Sequence, residues 1–261
     1  MKLNFSKTKG VLELSSSYAV FIERKGKEIR FRKIDYGKLI EPNPFKSNLL
    51  DEASLAEKIS FLRGKSLTVL LPDGVAVITY IELPELPEDE EEERELVNFY
   101  VRKRYPFIDR LKVAYQTMSP KDKRVLVGVM SEEVLNSYLR FFADLEVKPV
   151  SIQISSISAL NFLLSAEAQH EREFLYLDAS PDRVVLLYVK DGKLEVYRLV
   201  RDFTEEGRIE TELESIFKFV KSREIPVFLR KPQEYSLNLP QINQIEIGEN
   251  WTLVPGLGAI Q

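Results

Sequence analysis

The reading of the fold turns on residues 66–107, SLTVLLPDGVAVITYIELPELPEDEEEERELVNFYVRKRYPF. Residues 67–71 form an apolar run of strand length, fit for the inside of a sheet, and the run stops at Pro72-Asp73-Gly74. Residues 75–83 read as a second strand. A turn bracketed by Pro84 and Pro87 then leads into a helix. Asp89 to Glu93 fall in the first turns of that helix and Arg102, Lys103 and Arg104 in its last, the charge order that a helix dipole favours. Leu96, Phe99 and Tyr100, with Val101 beside them, form its expected apolar face, and Pro106 ends it. Nothing here has the look of catalysis. The carboxylates of residues 88–95 follow one another around a helix, whereas a Mg²⁺ or Ca²⁺ site needs carboxylates that converge from a shaped loop.

Toward the N-terminus, residues 11–14, 18–23 and 29–34 are β-prone runs separated by Ser15-Ser16-Ser17 and by Lys25-Gly26-Lys27, the pattern of an antiparallel meander. Residues 54–62 carry Leu55, Ile59 and Leu62 at helical spacing. Toward the C-terminus, strands are expected over residues 111–118, 124–130 and 148–154. A helix capped by Ser131 reaches about Leu145, and another covers residues 158–165. From residue 174 the meander returns, as strands 174–177, 184–189 and 194–199 with Asp191-Gly192 as the tight hairpin. A helix (209–220) and strands at 227–229 and 242–247 follow. Two meanders, each followed by a helix and a further strand, suggest two lobes of one duplicated α/β unit.

At 261 residues the chain can hold two cores. A charged fraction of 30% with a net charge of -4 and no long basic run makes nucleic acid an improbable partner. The absence of cysteine excludes disulfides, thiol nucleophiles and Cys-ligated zinc, and fits a reducing cytoplasm. No apolar run approaches the roughly 20 residues of a membrane span, so a membrane role is expected only through partners. The single histidine, His170, sits in a polar linker with no second histidine to build a metal site. No GxxxxGK[ST] or GxGxxG follows an expected strand. Asp178, ending a buried strand beside Ser180, is the best single candidate for a functional acid: it could hold a hydrated metal near a phosphate, or it could be an Asx-turn residue.

Several segments, in this order, resemble the PilM proteins of type IV pilus assembly, which are actin-like and related to FtsA; the cytoplasmic part of the type II secretion protein GspL is a more distant relation. Val69-Leu70-Leu71-Pro72-Asp73-Gly74-Val75 and Leu83-Pro84-Glu85-Leu86-Pro87 resemble the strand entering that family's small inserted subdomain. Tyr105-Pro106-Phe107 resembles the close of its helix. Residues 125–134 with 145–150 resemble a strand–helix–strand unit, and Leu175-Tyr176-Leu177-Asp178-Ala179-Ser180 resembles the strand opening the second lobe.

The resemblance implies an α/β, actin-like fold of duplicated ribonuclease H-like lobes. Residues 1–155 would form lobe I, with the inserted subdomain at about 75–130, and residues 156–261 a reduced lobe II. It implies a cytoplasmic scaffold of a pilus or type II secretion platform, peripheral to the inner membrane and coupled to an assembly ATPase. Its expected partner is the N-terminal cytoplasmic peptide of a PilN-like membrane protein, docked near residues 83–107. The alternative is a functional actin-like ATPase whose nucleotide state switches its partners. Should ATP and Mg²⁺ bind, Ser15, Ser17, Asp178 and Ser180 are the expected contacts, with Asp178 on the metal. The departures count against that alternative: the first turn lacks glycine, and Arg230-Lys231-Pro232 stands where the family has a Gly-Gly adenosine motif. A third possibility, a polymerising FtsA-like adaptor, lacks its amphipathic C-terminal helix in residues 251–261. That tail resembles a final helix start cut short, so a truncated or fused chain is expected.

Overall fold

In the computed structural model, residues 10–25, 28–119, 123–166, 173–180, 183–201, 208–222, 224–230 and 244–246 are described. His170, Lys231 and the tail from Trp251 lie outside them. Three sheets organise the chain. The first runs in the order β3-β2-β1-β4-β8, from strands β1 (Gly10–Leu14), β2 (Tyr18–Lys25), β3 (Glu28–Asp35), β4 (Ser66–Leu71) and β8 (Lys148–Ile154). The second runs β11-β10-β9-β12-β13, from β9 (Glu173–Ser180), β10 (Arg183–Lys190), β11 (Lys193–Arg201), β12 (Val227–Arg230) and β13 (Gln244–Glu246). In both, an antiparallel meander continues through its first strand into two parallel strands. The duplication expected from the two meanders is therefore present in the topology, and the fold is α/β.

What differs between the copies is the chain carried between the two parallel strands. Residues 72–147 separate β4 from β8, whereas only residues 231–243 separate β12 from β13. The longer excursion contains the third sheet, β5-β7-β6, made of β5 (Val77–Glu82), β6 (Leu111–Ser119) and β7 (Arg124–Ser131). Strand β5 begins two residues later than its sequence predicts, because Val75 donates back to the Pro72 carbonyl at 3.3 Å and closes a turn around Gly74. Gly74 has φ of +93°, a conformation L side chains rarely adopt, so the position needs glycine; the Arg201 guanidinium that a Cβ would meet at 2.6 Å ends a flexible side chain that can move aside.

The helices sit where their apolar faces are covered. Helix α1 (Glu52–Ile59), capped by Asp51, and α3 (Glu132–Asp144), capped by Ser131, close one face of the first sheet around Leu12, Leu14, Val69 and Leu71. Helix α5 (Arg208–Val220) closes one face of the second sheet through Leu213, Ile216 and Phe217, and α4 (Ser155–Ala166) closes the other through Ala159, Leu160 and Leu163. Helix α2 (Glu90–Arg104) lies on the third sheet, its Asp89 cap accepting from the Glu91 and Glu92 N–H groups at 2.9 and 3.0 Å.

The face it buries differs from the expected one. Val97 and Val101 are in the core, Leu96 and Tyr100 flank them, and Phe99 is 59% exposed. Burial follows the i, i+4 row through Val97 and Val101, and Phe99 falls on the opposite side of the helix.

Candidate functional site

Two places in the molecule invite a functional reading. The first lies between the two five-stranded sheets, where the carboxyl ends of β1, β4, β9 and β12 meet. In open α/β sheets this is where ligands bind. Each end carries a charge. Glu13 is the one charged residue of GVLEL, Asp73 follows β4, Asp178 lies near the end of β9, and Arg230 ends β12. Arg183 opens β10 beside them. None of these five side chains is more than 4% exposed.

Arg230 ties the group together. Its Nη1 donates to Asp178 Oδ2 at 2.8 Å, and its Nη2 donates to both oxygens of Glu13, at 2.9 and 3.1 Å. Asp178 and Arg230 are register partners on adjacent parallel strands, whereas Glu13 comes from the other sheet. Ser155 at the start of α4 donates to Glu13 at 2.5 Å, and Tyr176 donates to Asp178 at 3.4 Å.

A second set surrounds Asp73. The Ser156 hydroxyl and, at 3.3 Å, the Ser156 N–H donate to it, Tyr197 of β11 donates at 3.0 Å, and Arg183 stands 3.7 Å away. Helix α4 starts three residues earlier than its sequence predicts, which is what brings Ser155 and Ser156 into these two sets.

Burial pushes the Glu13 and Asp73 carboxyls above their ordinary values, opposed by Arg230 and Arg183 respectively. Burial works against the charge on Arg230 too. Asp178 and Glu13 outweigh it and hold the guanidinium proton well above its usual value.

Of the four residues expected to contact a nucleotide, Ser15, Asp178 and Ser180 are buried at this junction, while Ser17 is half-buried in the turn between β1 and β2. The Ser15 N–H is turned inward to the Tyr18 carbonyl at 2.8 Å. Ser15 Oγ and Asp178 Oδ1 are buried without a hydrogen-bond partner among the described residues. These groups do not fit magnesium–nucleotide. Mg²⁺ demands a near-octahedral shell of oxygens, and here the only other Asp178 oxygen is held by a guanidinium 2.8 Å away. Mg²⁺ on Asp178 would sit beside that positive charge in a buried setting. The expectation for Arg230 was only that it cannot let a nucleotide approach as glycine does; its pairing with Glu13 is visible only in the tertiary structure. The one local signal was a single charge closing, or interrupting, each of several buried runs.

The second place is open and apolar. A groove of about 550 Å³ runs between the third sheet and the outermost strand of the first, β8. Along β7, Val125, Val127 and Val129 face α2 and are buried, while the alternating Leu126, Gly128 and Met130 line the groove and are half-buried. Ile78 of β5, Leu139 of α3 and Ile154 of β8 complete its apolar walls, with Lys112 and Gln116 of β6 as polar groups at its side. Residues of the third sheet form one wall, and α3, β8 and α4 form the rest. The groove lies on the face of the third sheet opposite the α2 segment, near which docking was expected.

The insert is also latched to the second sheet. Arg124 donates to the Glu195 carboxylate at 2.8 Å and to its carbonyl at 3.0 Å while stacking 3.9 Å over Tyr80, and Tyr80 donates to the Leu194 carbonyl. Among the described residues, no group of three or more His, Asp or Glu side chains is placed to hold a metal ion, and no helix is long and apolar enough to cross a membrane.

No protein-family model matches the sequence, and no curated protein does. Among solved structures, the chain is similar to a chain of the PilM–PilN type IV pilus biogenesis complex, at 15% identity and a TM-score of 0.68, over 97% of this chain and 86% of that one. It is also similar to the cytoplasmic domain of EpsL, an inner-membrane component of the type II secretion system of Vibrio cholerae, at 12% identity and a TM-score of 0.60, over 96% and 94% of the two chains. A Bacteroides thetaiotaomicron protein of actin-like ATPase fold and unknown function is similar at 15% identity and a TM-score of 0.54, over 90% and 87%. The fold is the actin-like one.

Proposed function

We propose that this chain is an adaptor of a type IV pilus or type II secretion assembly platform, working at the cytoplasmic side of the inner membrane by docking a short segment of a PilN-like membrane protein. The observation that carries this reading is the open apolar groove between the third sheet and β8, in a fold similar to that of a PilM–PilN complex chain. Peptide grooves of this kind take apolar side chains in pockets and align the backbone along an element edge. Here β8 is the outermost strand of its sheet and Leu126, Met130, Leu139 and Ile154 offer the apolar contacts. We take residues 1–155, with the insert at about 75–130, as the docking lobe and residues 156–261 as the lobe that holds it in place. Coupling to an assembly ATPase would follow through other surfaces.

The test is titration calorimetry of the full chain with the N-terminal cytoplasmic peptide of the PilN-like protein encoded beside it. Saturable binding that Leu139→Glu, at an exposed position of the groove wall, abolishes supports the reading; no heat at high micromolar peptide, with the protein folded, rejects it. The alternative, a nucleotide-switched ATPase, is not favoured by the contacts around Asp178.

A further inference from the structure

The buried charges between the sheets do something the groove does not require, and their role holds whichever partner the groove takes. Five ionisable side chains with no more than 4% exposure are an expensive way to join two sheets. Desolvation offsets most of their attraction, and apolar side chains of the same volume would hold as well or better. What a guanidinium adds is geometry, since its planar fork fixes two acceptors at defined angles, which neither an ammonium nor an apolar side chain does. Arg230 uses that fork across the junction, one nitrogen on Asp178 of its own sheet and the other on Glu13 of the opposite one. Carboxylates from both sheets converging on one positive charge is the arrangement a bound Mg²⁺–nucleotide would otherwise complete.

We propose that Arg230 is a built-in substitute for the cation of a bound nucleotide: it clasps Glu13 and Asp178 permanently, so that the two sheets keep a single arrangement with no ligand. The second set makes a parallel link. Asp73 at the end of β4 faces Arg183 and Tyr197 of the second sheet, and Arg201 of β11 donates to the Gly74 carbonyl at 3.1 Å. The links are made by residues far apart in sequence, which close on each other only once both sheets have formed. Were the two sheets joined through a bound nucleotide, their relation would change with its binding. In this chain it is set by side chains, and the groove beside the insert is presented in one geometry at all times.

The experiment uses the absence of cysteine. Lys58→Cys on α1 and Lys218→Cys on α5 place two spin labels on exposed positions of the two halves, and their distance is measured by pulsed electron resonance with and without Mg-ATP. The expected result is one narrow distance that Mg-ATP leaves unchanged. Adding Arg230→Ala should broaden the distribution and lower the melting temperature by about 10 °C, because two buried carboxylates lose their counter-charge. Guanidinium at on the order of 10 mM, against a sodium chloride control, should refill the site, narrowing the distribution and recovering part of the melting temperature in that variant but not in its parent. A distance or melting temperature that shifts with Mg-ATP in the parent overturns the proposal. So does an Arg230→Ala protein that melts and measures like its parent. If Arg230→Ala yields no folded protein, Glu13→Gln takes its place: broadening of the distance is expected, and an unchanged narrow distance overturns the clasp.

Discussion

The cleft between the sheets and the groove beside the insert are both hollows lined by strand edges or ends, yet the chain treats them in opposite ways. In the cleft it packs charge to the exclusion of solvent and pairs it internally, with Arg230 between Glu13 and Asp178, leaving Asp178 Oδ1 without a partner among the described residues. In the groove it leaves Leu126, Gly128 and Met130 only half-buried, and Leu139 of α3 beside them 39% exposed. The difference teaches that single residues decide whether a place at the ends or edges of strands is filled by the chain itself or left open. A cleft that holds its own cation is structural, and a groove that leaves apolar surface half-covered is where binding energy remains to be gained.

Variants in the two hollows should separate stability from binding. The largest effect is expected from Asp178→Ala, which leaves the Arg230 guanidinium buried with one carboxylate fewer. Denaturant unfolding should show a loss of about 3–5 kcal/mol, and a change within about 0.5 kcal/mol, the size of an ordinary surface substitution, would break the contrast. Leu139→Glu in the groove should do the reverse, weakening the docked peptide by more than tenfold, about 1.4 kcal/mol or more, while the folded chain changes little because Leu139 is 39% exposed. Equal losses of stability and binding would mean the groove wall is core.

Away from both hollows the effects shrink to local ones. Ser131 caps α3 by accepting from the Val134 N–H at 3.2 Å, so Ser131→Ala should cost about 1 kcal/mol in denaturant unfolding. Glu146, at φ of +58° after α3, is a non-glycine in the left-handed region, and Glu146→Gly should stabilise by about 0.5–1 kcal/mol in the same measurement.

The smallest effect sharpens the electrostatics of the cleft. The Glu13 carboxyl is raised in the folded chain by burial, so the folded state holds that proton to higher pH than the unfolded state does. Its contribution to stability is complete below the ordinary carboxylate value of 4.5 and is lost as pH rises through the raised folded value. The stability of the parent relative to Glu13→Gln should therefore improve as pH is lowered from neutral toward that value. A gap that widens in the opposite direction would show that the pair with Arg230 outweighs the burial.

Much of this architecture was legible along the chain. The two meanders announced the duplicated sheets, because alternating apolar runs and tight turns are local signals. Ser131 announced its helix as a cap, and the acidic run from Asp89 announced the start of α2, of which Asp89 is itself the cap. Strand β5 and helix α2 followed from residues 66–107, and β6 and β7 from the β-prone runs 111–118 and 124–130. The buried face of α2 was misplaced because Phe99, Leu96 and Tyr100 are as apolar as Val97, and only the sheet beneath decides which row is covered. The groove was expected beside the insert, on its α2 side. Its actual face follows from the alternation in β7, where both faces are apolar and one of them is taken by α2.

The sequence by itself determined the strands, the Ser131 cap and the duplication, since these depend on periodicity and on residues a few positions apart. The tertiary structure alone decided which charges meet between the sheets. Glu13 and Arg230 stand 217 positions apart and Asp73 and Tyr197 124 apart, and nothing local to any of them names its partner. A buried charge is tolerable only when another meets it within hydrogen-bond reach, and that meeting exists only after the two sheets have come together.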